Sequence, residues 1–245
     1  MNRNKLGILL LALLVVCSFS LSAVANTFTF STASGATNGG GDPVNASVIF
    51  NTGSGTLTID LSNGLTAAQM KNVGQNLSDL FFTLNNTTSS GFVSSSSATF
   101  VNVAGNGTAS PITVTGTDPV GWAITNSGGT YHLNGLAGAA FTPAHTILGG
   151  VVGDTSYPNA NSSIAHDPPG DPHNPFVQGT GHFVLSIAGI NVDTTISNVQ
   201  FSFGTTAGDN VPGTPGVPVP EPGSMMLFGT GLLGVAGVIR RKLSR

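Results

Sequence analysis

The side chains best suited to chemistry cluster in one proline-rich stretch, residues 164–175. It contains His166, Asp167, Asp171 and His173, and imidazole and carboxylate groups are ligands for divalent cations. Their spacing matches no zinc signature, and no glutamate lies nearby as a general base. Four prolines and a glycine in the same stretch favour a rigid surface turn. We therefore expect a structural loop here, with no metal and no cofactor.

The sequence contains no recognisable arrangement for nucleophilic or acid–base catalysis. Serine and threonine are abundant, but none lies in a Gly-x-Ser-x-Gly turn. His132, His145 and His182 lie on or beside predicted strands without an attached acidic partner, and such histidines are more often packed or surface side chains than bases. A glycosidase needs two paired carboxylates, and the scattered aspartates have no motif that assigns them roles. We expect no enzymatic activity.

Two weaker signals concern binding. Trp122 and Tyr131 could contribute to a platform on which a sugar stacks, but a single Trp and 7% aromatic residues make a core plug or one exposed ring the better prediction. Five aspartates lie in Gly/Pro loops, where calcium often binds, yet no Asp-x-Asp-x-Asp-Gly series occurs, so we expect turn and solubilising roles. These are Asp118, Asp154, Asp167, Asp171 and Asp209.

The most specific spacing lies at the C-terminus, where three elements follow one another. They are the tripeptide Pro220, Glu221 and Pro222, the uncharged run 224–239, and the basic residues Arg240, Arg241 and Lys242. The prolines hold the tripeptide extended, which is the shape that a protease active site prefers. The 16-residue run would span roughly 24 Å as a transmembrane helix, short of the roughly 30 Å hydrocarbon core. Basic residues after it predict a cytoplasmic C-terminus, with the preceding chain outside.

These three elements resemble, in type and order, a PEP-CTERM sorting signal. The resemblance covers about the last tenth of the chain. It implies that an integral-membrane exosortase recognises Pro220, Glu221 and Pro222, cuts nearby and sends the protein to the cell envelope or outside, with the basic residues as the stop. The family occurs in Gram-negative bacteria that make exopolysaccharide, which makes exopolysaccharide a candidate partner. The alternative is an ordinary C-terminal anchor behind a Pro-rich linker.

The N-terminus predicts export. Two basic residues, the apolar run 6–16 and the small residues Ala23 and Ala25 are typical of a signal peptide over residues 1–25, cut by signal peptidase after Ala25. The residue before Cys17 is too bulky for a lipoprotein site. The mature chain is then free of cysteine, so a hydrophobic core rather than disulfides must stabilise it.

The charge of the region between the two signals excludes one class of partner. Residues 26–219 contain one basic residue, Lys71, against nine aspartates and no glutamate, which gives a formal charge of −8. Nucleic acids are bound by clustered lysine and arginine, which this region lacks. An anionic membrane surface would repel the region as well.

Alternation of apolar and small polar residues predicts strands in most of this region. The clearest sets are Phe28/Phe30, Val48/Phe50, Leu57/Ile59/Leu61, Phe183/Leu185/Ile187 and Val199/Phe201/Phe203. Clusters of Gly, Asn, Ser and Asp separate them as turns. We expect an all-β fold, a single antiparallel β-sandwich or jelly roll, over residues 26–209. A Pro/Gly linker, 210–219, then leads to the sorting signal, 220–245.

One segment departs from this alternation. Residues 66–74 combine Thr66 as a cap, helix-favouring side chains and Gly74 as a stop, which predicts one short helix packed through Met70 and Val73. Residues 77–84 follow as a buried strand with apolar residues on both faces.

Two functions are compatible with these patterns. The first is a non-enzymatic surface or matrix protein, inserted in the inner membrane as a precursor and then delivered to the cell envelope or outside. The second is a carbohydrate-binding module or polysaccharide-acting enzyme on a β-sandwich. A concave face with exposed aromatic rings or paired aspartates would favour the second, whereas bare Ser/Thr faces would favour the first.

Overall fold

The computed structural model describes residues 26–136, 145–167, 173–206 and 208–216. They form two three-residue 3-10 helices, Ala67–Gln69 and Val73–Gln75, and twelve strands. The strands are β1 (Asn26–Thr32), β2 (Ala46–Thr52), β3 (Thr56–Asn63), β4 (Leu77–Leu84), β5 (Gly91–Val103), β6 (Ala109–Ile112), β7 (Ala123–Ser127), β8 (Thr130–Asn134), β9 (Ile147–Leu148), β10 (Phe176–Ile187), β11 (Ile196–Phe203) and β12 (Asn210–Pro215). The all-β prediction is confirmed. Within these residues no helix is long and apolar enough to cross a membrane, and the predicted span 224–239 lies outside them.

All twelve strands belong to one sheet, which curls into a barrel-like ring. Their order is β6-β5-β10-β3-β2-β1-β12-β11-β4-β8-β7, and the two-residue strand β9 pairs in parallel with β10 and antiparallel with β4. Eight strands thereby close the ring, while β5–β6 and β7–β8 extend from its seam. The predicted sandwich or jelly roll is not confirmed, because the pairing joins every strand into one sheet.

The interior of the ring is filled by alternate side chains of its strands. Leu57, Ile59 and Leu61 of β3 are fully buried, as the alternation predicts. Phe50 lies between two other rings, with centroids 6.1 Å from Phe30 and 5.2 Å from Phe82. Each such large apolar side chain stabilises the fold by about 1.5–3 kcal/mol when it is buried. The same alternation holds for β10, where Phe183, Leu185 and Ile187 are fully buried.

A second, smaller hydrophobic cluster lies outside the ring, beneath the long loops at one of its ends. Met70, Tyr157, Ile164 and Phe176 are among its fully buried members, and they join the loops before β4 and after β9 to the start of β10. The long loops are therefore packed structures with their own core rather than loose connections.

The helix predicted around Met70 is wrong, because two 3-10 helices occupy this segment. The Gln69 side chain accepts a hydrogen bond from the Thr66 N–H at 2.9 Å, and the Gln75 side chain accepts one from the Lys71 N–H at 2.6 Å. Such side-chain bonds compete with helical backbone bonds. Met70 itself is extended and fully buried, so its burial interrupts the helical path.

The strand predicted over residues 77–84 is confirmed as β4, whose burial extends to both faces. It pairs with β11 on one side and with β8 and β9 on the other. Leu80 and Phe82 point into the core, whereas Asp79 is only 1% exposed on the opposite face. A strand covered on both faces accepts apolar residues at successive positions, which explains the run Leu80, Phe81 and Phe82.

Residues 210–215, predicted as the start of the linker, instead form β12 within the sheet. The first half of β12 pairs with β11, where Val211 lies opposite Phe201, and the second half pairs with β1, where Pro215 lies opposite Phe30. Proline is tolerated in a strand where one side carries no ladder bond. Because β12 changes partner midway, each half pairs on one edge only and has a second edge without ladder bonds. Its prolines are therefore compatible with a place in the sheet.

The ring has two ends that differ in what they carry. The terminal end holds both ends of the described domain, Asn26 and Gly216, since Asn26 starts β1 and the Gly216 N–H donates to the Thr29 carbonyl at 2.7 Å. Loops 53–55, 85–90 and 188–195 lie at this end. The opposite, loop end carries the longer loops 33–45, 64–76, 104–108 and 149–167.

Candidate functional site

The residues predicted to direct processing lie outside the described part of the chain. They are Ala23 and Ala25, the tripeptide Pro220, Glu221 and Pro222, and the basic residues Arg240, Arg241 and Lys242. The structure does place the residues next to them. Asn26 begins β1, and Gly216 follows β12 on the adjacent strand and is level with Thr29, so the chain on both sides of the domain is directed towards the terminal end.

One acid–histidine pair lies on the outer wall, the outward face of β5, β10, β3, β2 and β1. The His182 Nδ1 lies 2.5 Å from the Asp60 Oδ1, and the exposed fractions of the two side chains are 42% and 39%. Ser97 lies opposite His182 on β5, so serine, histidine and aspartate follow one another across three strands. A hydrolase site also needs oxyanion donors and exclusion of water. This row stands open to solvent, which argues against hydrolysis.

A second pair is largely buried and structural. The His132 Nε2 lies 3.5 Å from the Asp79 Oδ1, and the same oxygen accepts a hydrogen bond from the Gly135 N–H at 3.1 Å. The His132 ring stacks on Phe81 at a centroid distance of 3.9 Å. The expectation that His132 and His182 have no acidic partner is therefore wrong. Their partners lie on other strands, where no local sequence signal reveals them.

Trp122 and Tyr131 are buried core side chains, in agreement with the prediction of a core plug. Trp122 is 2% exposed, its ring lies 5.2 Å from that of Phe183, and its indole N–H donates to the His145 carbonyl at 3.1 Å. Tyr131 is fully buried, and its hydroxyl donates to the Ser89 carbonyl at 2.7 Å. Neither ring is available to stack on a sugar.

His145 is held in the same interior. Its side chain is 1% exposed, and the Nδ1 lies 3.0 Å from the Val120 carbonyl oxygen. Burial lowers the pKa of His145, and the hydrogen bond to Val120 opposes this effect only in part. The imidazole is consequently a neutral structural group near neutral pH rather than a base presented to a substrate.

The proline-rich stretch 164–175 is fastened to β5. The Asn174 side chain accepts a hydrogen bond from the Val103 N–H at 2.8 Å and donates one to the Val103 carbonyl at 3.3 Å, as a strand neighbour would. The His166 N–H also donates to this carbonyl, at 3.1 Å. Among the described residues no three metal-binding side chains lie close enough to hold an ion, and Asp171 falls outside them.

A cleft of about 720 Å³ opens at the loop end. It is lined by residues 62–68, by the loop 150–158 and by Gly179 and Thr180 of β10. Gln178 shapes this loop from beneath. Its side-chain amide donates to the Asp154 carbonyl at 2.9 Å and accepts from the Gly153 N–H at 3.0 Å. No local sequence pattern reveals this cleft, because its walls come from three distant segments.

Tyr157 anchors the same loop from its other end. Its hydroxyl donates to the Gly149 carbonyl at 2.9 Å and accepts a hydrogen bond from Gln178 at 3.2 Å. Burial, with a smaller contribution from the Asp154 charge, raises the pKa of Tyr157 to about 12. The phenol therefore stays protonated and keeps its donor role at any physiological pH, so the cleft wall is preformed.

The chemistry of the cleft restricts what it can bind. Val151 and Val152 are 70% and 63% exposed at its rim, and the hydroxyls of Ser62 and Thr180 lie 2.8 Å apart in its wall. Asp154 supplies a carboxylate, whereas neither lysine nor arginine occurs among the described residues that line it. A phosphate or an acidic sugar would meet no positive charge here. The lining fits a neutral ligand with both hydroxyl groups and an apolar edge.

Comparison with protein families identifies the C-terminal segment. Residues 218–242 match the family model of the PEP-CTERM protein-sorting motif. The chain thus carries at its C-terminus the sorting motif that the resemblance indicated. This motif implies processing by exosortase and export to the surface through a membrane-anchored precursor. Neither the curated proteins nor the solved structures contain a match to the chain.

Proposed function

We propose that the chain is an exported envelope or extracellular protein whose β domain is released intact when exosortase cuts near Pro220–Pro222. The observation that carries this proposal is where the motif begins. The last backbone hydrogen bond of the domain joins Gly216 to Thr29, and the matched motif starts at residue 218. All twelve described strands precede the cut, so release leaves the ring complete.

We propose further that the released domain is a non-enzymatic surface or matrix protein. The acid–histidine pair of the outer wall is open to water, and the pair at Asp79 is held by packing and by a backbone bond. His145 is neutral and enclosed. These placements leave the described domain without an assembled set of nucleophile, base and oxyanion donors, which supports a structural or binding role.

Processing is tested by substitution in the tripeptide. Glu221→Ala, or replacement of Pro220 and Pro222 by alanine, should leave uncut precursor in the inner membrane of a host that carries an exosortase. Val217→Ala, immediately before the matched motif, is the control and should be released normally. Membrane and extracellular fractions are compared by immunoblotting. Full release of the tripeptide variants would overturn the proposal and favour a plain anchor.

The second candidate function is a carbohydrate-binding module, and the cleft at the loop end favours it. Hydroxyl and amide groups with an apolar rim suit a neutral sugar, and the absence of a cation among the lining residues disfavours an acidic one. Co-sedimentation of the released protein with neutral and acidic polysaccharides tests it. Thr180→Val should weaken binding to the neutral polymer, whereas Thr58→Val on the outer wall should not. Equal binding by both variants would remove the cleft from consideration.

A further inference from the structure

The positions of the two chain ends orient the domain relative to a membrane. β1 runs away from the terminal end and β12 runs towards it, so the chain before Asn26 and the chain after Gly216 are both directed towards this end, with Gly216 level with Thr29. Strands of seven or eight residues, such as β1 and β3, span about 25 Å at ~3.3 Å per residue. The loop end and its cleft are therefore about this far from Asn26, whereas Gly216 lies level with Thr29 and is nearer to them.

The tether between the domain and the apolar run is short. Gly216 is bonded to β1, and residues 217–223 alone separate it from the run that begins at Ser224. Seven residues span at most about 25 Å when fully extended. While that run is in the bilayer, the terminal end cannot move farther from the membrane surface than this length.

The charges of the domain are distributed to match this orientation. Of the eight described aspartates, one lies at the terminal end, and the others lie in the loops of the loop end or on the strands and walls. The terminal end holds Asp193; the loop end holds Asp42, Asp154, Asp167 and Asp209; the strands and walls hold Asp60, Asp79 and Asp118. An anionic bilayer repels carboxylates, so the terminal end is the one that approaches it at the lowest electrostatic cost.

A positive charge close to Asp193 would offset the one aspartate described at the terminal end. The Asn26 side chain donates to the Val192 carbonyl, next to Asp193. Signal peptidase cleavage after Ala25 would create an α-ammonium group on Asn26, whose side chain contacts the residue before Asp193. The processed terminal end would then be close to neutral.

The terminal end also presents an exposed aromatic side chain. Phe92 follows loop 85–90, lies opposite Ser186 near the end of β10, and is 62% exposed. The residues that precede it, 85–91, are all Asn, Thr, Ser or Gly. An exposed ring in an uncharged polar surface is suited to the headgroup region of a bilayer, where aromatic side chains are enriched.

We propose that in the membrane-anchored precursor the terminal end rests on the lipid headgroups, with Phe92 in the interface and the cleft facing away from the membrane. This inference rests on the proposed function, because it requires the anchored precursor. It explains how one chain can carry an acidic domain and two membrane-directed ends. The cleft stays accessible before exosortase acts.

Site-specific labels in the full chain test this orientation. Cys17→Ser removes the natural thiol, and Ser54→Cys, Ser97→Cys and Val152→Cys place a fluorophore at the terminal end, the outer wall and the loop end. The labelled chains are reconstituted in phosphatidylethanolamine–phosphatidylglycerol vesicles that contain a headgroup nitroxide lipid. Quenching should be strongest at position 54, weaker at 97 and weakest at 152. Equal quenching, or the reverse order, would overturn the inference.

The role of Phe92 is tested by a substitution, with a control substitution at Ile49 on the outer wall. Phe92→Asp should lower the quenching of the position-54 label several-fold, whereas Ile49→Asp, at a 40% exposed wall position, should leave it unchanged. An unaltered signal in the Phe92 variant would remove that ring from the contact. Flotation of the chains with vesicles separates the two proposals. A chain that does not float contradicts anchoring itself, whereas a chain that floats without a quenching gradient contradicts the orientation alone.

Discussion

At the scale of single residues, the loop end depends on a close backbone approach at Gly107. This glycine has φ +79, and a Cβ built on it would lie 2.7 Å from the Tyr157 carbonyl oxygen. Gly35 has almost the same φ, +77, with no atom within 4 Å of its Cβ position. Comparing substitutions at these two glycines therefore distinguishes the cost of a left-handed backbone from the cost of a steric clash.

Alanine at these two positions should have unequal effects. Gly35→Ala should lower the free energy of unfolding by about 1 kcal/mol, the cost of a left-handed alanine. Gly107→Ala should lower it by about 3 kcal/mol or more, because the clash with the backbone displaces the loop around Tyr157. Urea unfolding of the released protein measures both. Equal losses would contradict the close approach.

His145 should make the stability of the domain depend on pH. Because burial lowers its pKa in the folded state, the unfolded chain binds the proton first as pH falls below about 6.5. The free energy of unfolding should then decrease by up to about 1.4 kcal/mol per pH unit until pH reaches the folded-state pKa, and it should not decrease for this reason above pH ~6.5.

The matched variant for this test is His145→Asn, since asparagine tolerates the left-handed φ of 65 at this position. The variant should be less stable overall, because it loses the ring contact with Phe100 at 4.8 Å, but its stability should fall less steeply between pH 6.5 and 5. His182→Asn, on the outer wall, should keep the steep fall. Identical pH profiles for wild type and His145→Asn would contradict the burial argument.

At the scale of elements, β12 decides where the domain ends. It lies between β1 and β11, and Val211 on it belongs to the main core. A chain that ends at Asp209, the boundary predicted from composition, would leave these two strands without their shared neighbour and expose Phe30 and Phe201. A chain that ends at Gly216 keeps both pairings.

The two truncations should therefore behave differently. The chain 26–216 should show a cooperative thermal transition in circular dichroism, and the chain 26–209 should aggregate or lack one, because an open central gap removes backbone pairing and core burial together. A cooperative transition at the same temperature in both chains would show that β12 is dispensable. As a control, Thr214→Ala keeps β12 in place and should preserve the cooperative transition.

At the scale of the whole molecule, the two expected cleavages would leave the ring untouched. Signal peptidase is expected to cut after Ala25, immediately before β1, and exosortase near Pro220–Pro222, a few residues after β12. Intact-mass analysis of the secreted product should therefore give a species that starts at Asn26 and ends close to the tripeptide. A product that retains residues 1–25, or one that ends before Gly216, would contradict this.

The sequence by itself determined the features that are local along the chain. Strand content follows from alternation of apolar residues, and β2, β3 and β10 confirm it. The sorting motif is likewise a linear pattern that an enzyme reads in an extended chain, and the family match confirms it. Composition alone showed an acidic region without lysine clusters, since charge needs no fold to be counted.

Tertiary structure decided every feature that depends on strand register. Asp60 and His182 are 122 residues apart, and they meet because β3 and β10 pair at one particular register. The closure by β9, the place of β12 and the walls of the cleft depend in the same way on many distant pairings at once. The register of each strand pair depends on which side chains are buried across the whole sheet, so it cannot be read from a single segment. That is why the sequence pointed to a destination, while only the fold showed which end of the domain carries the two signals.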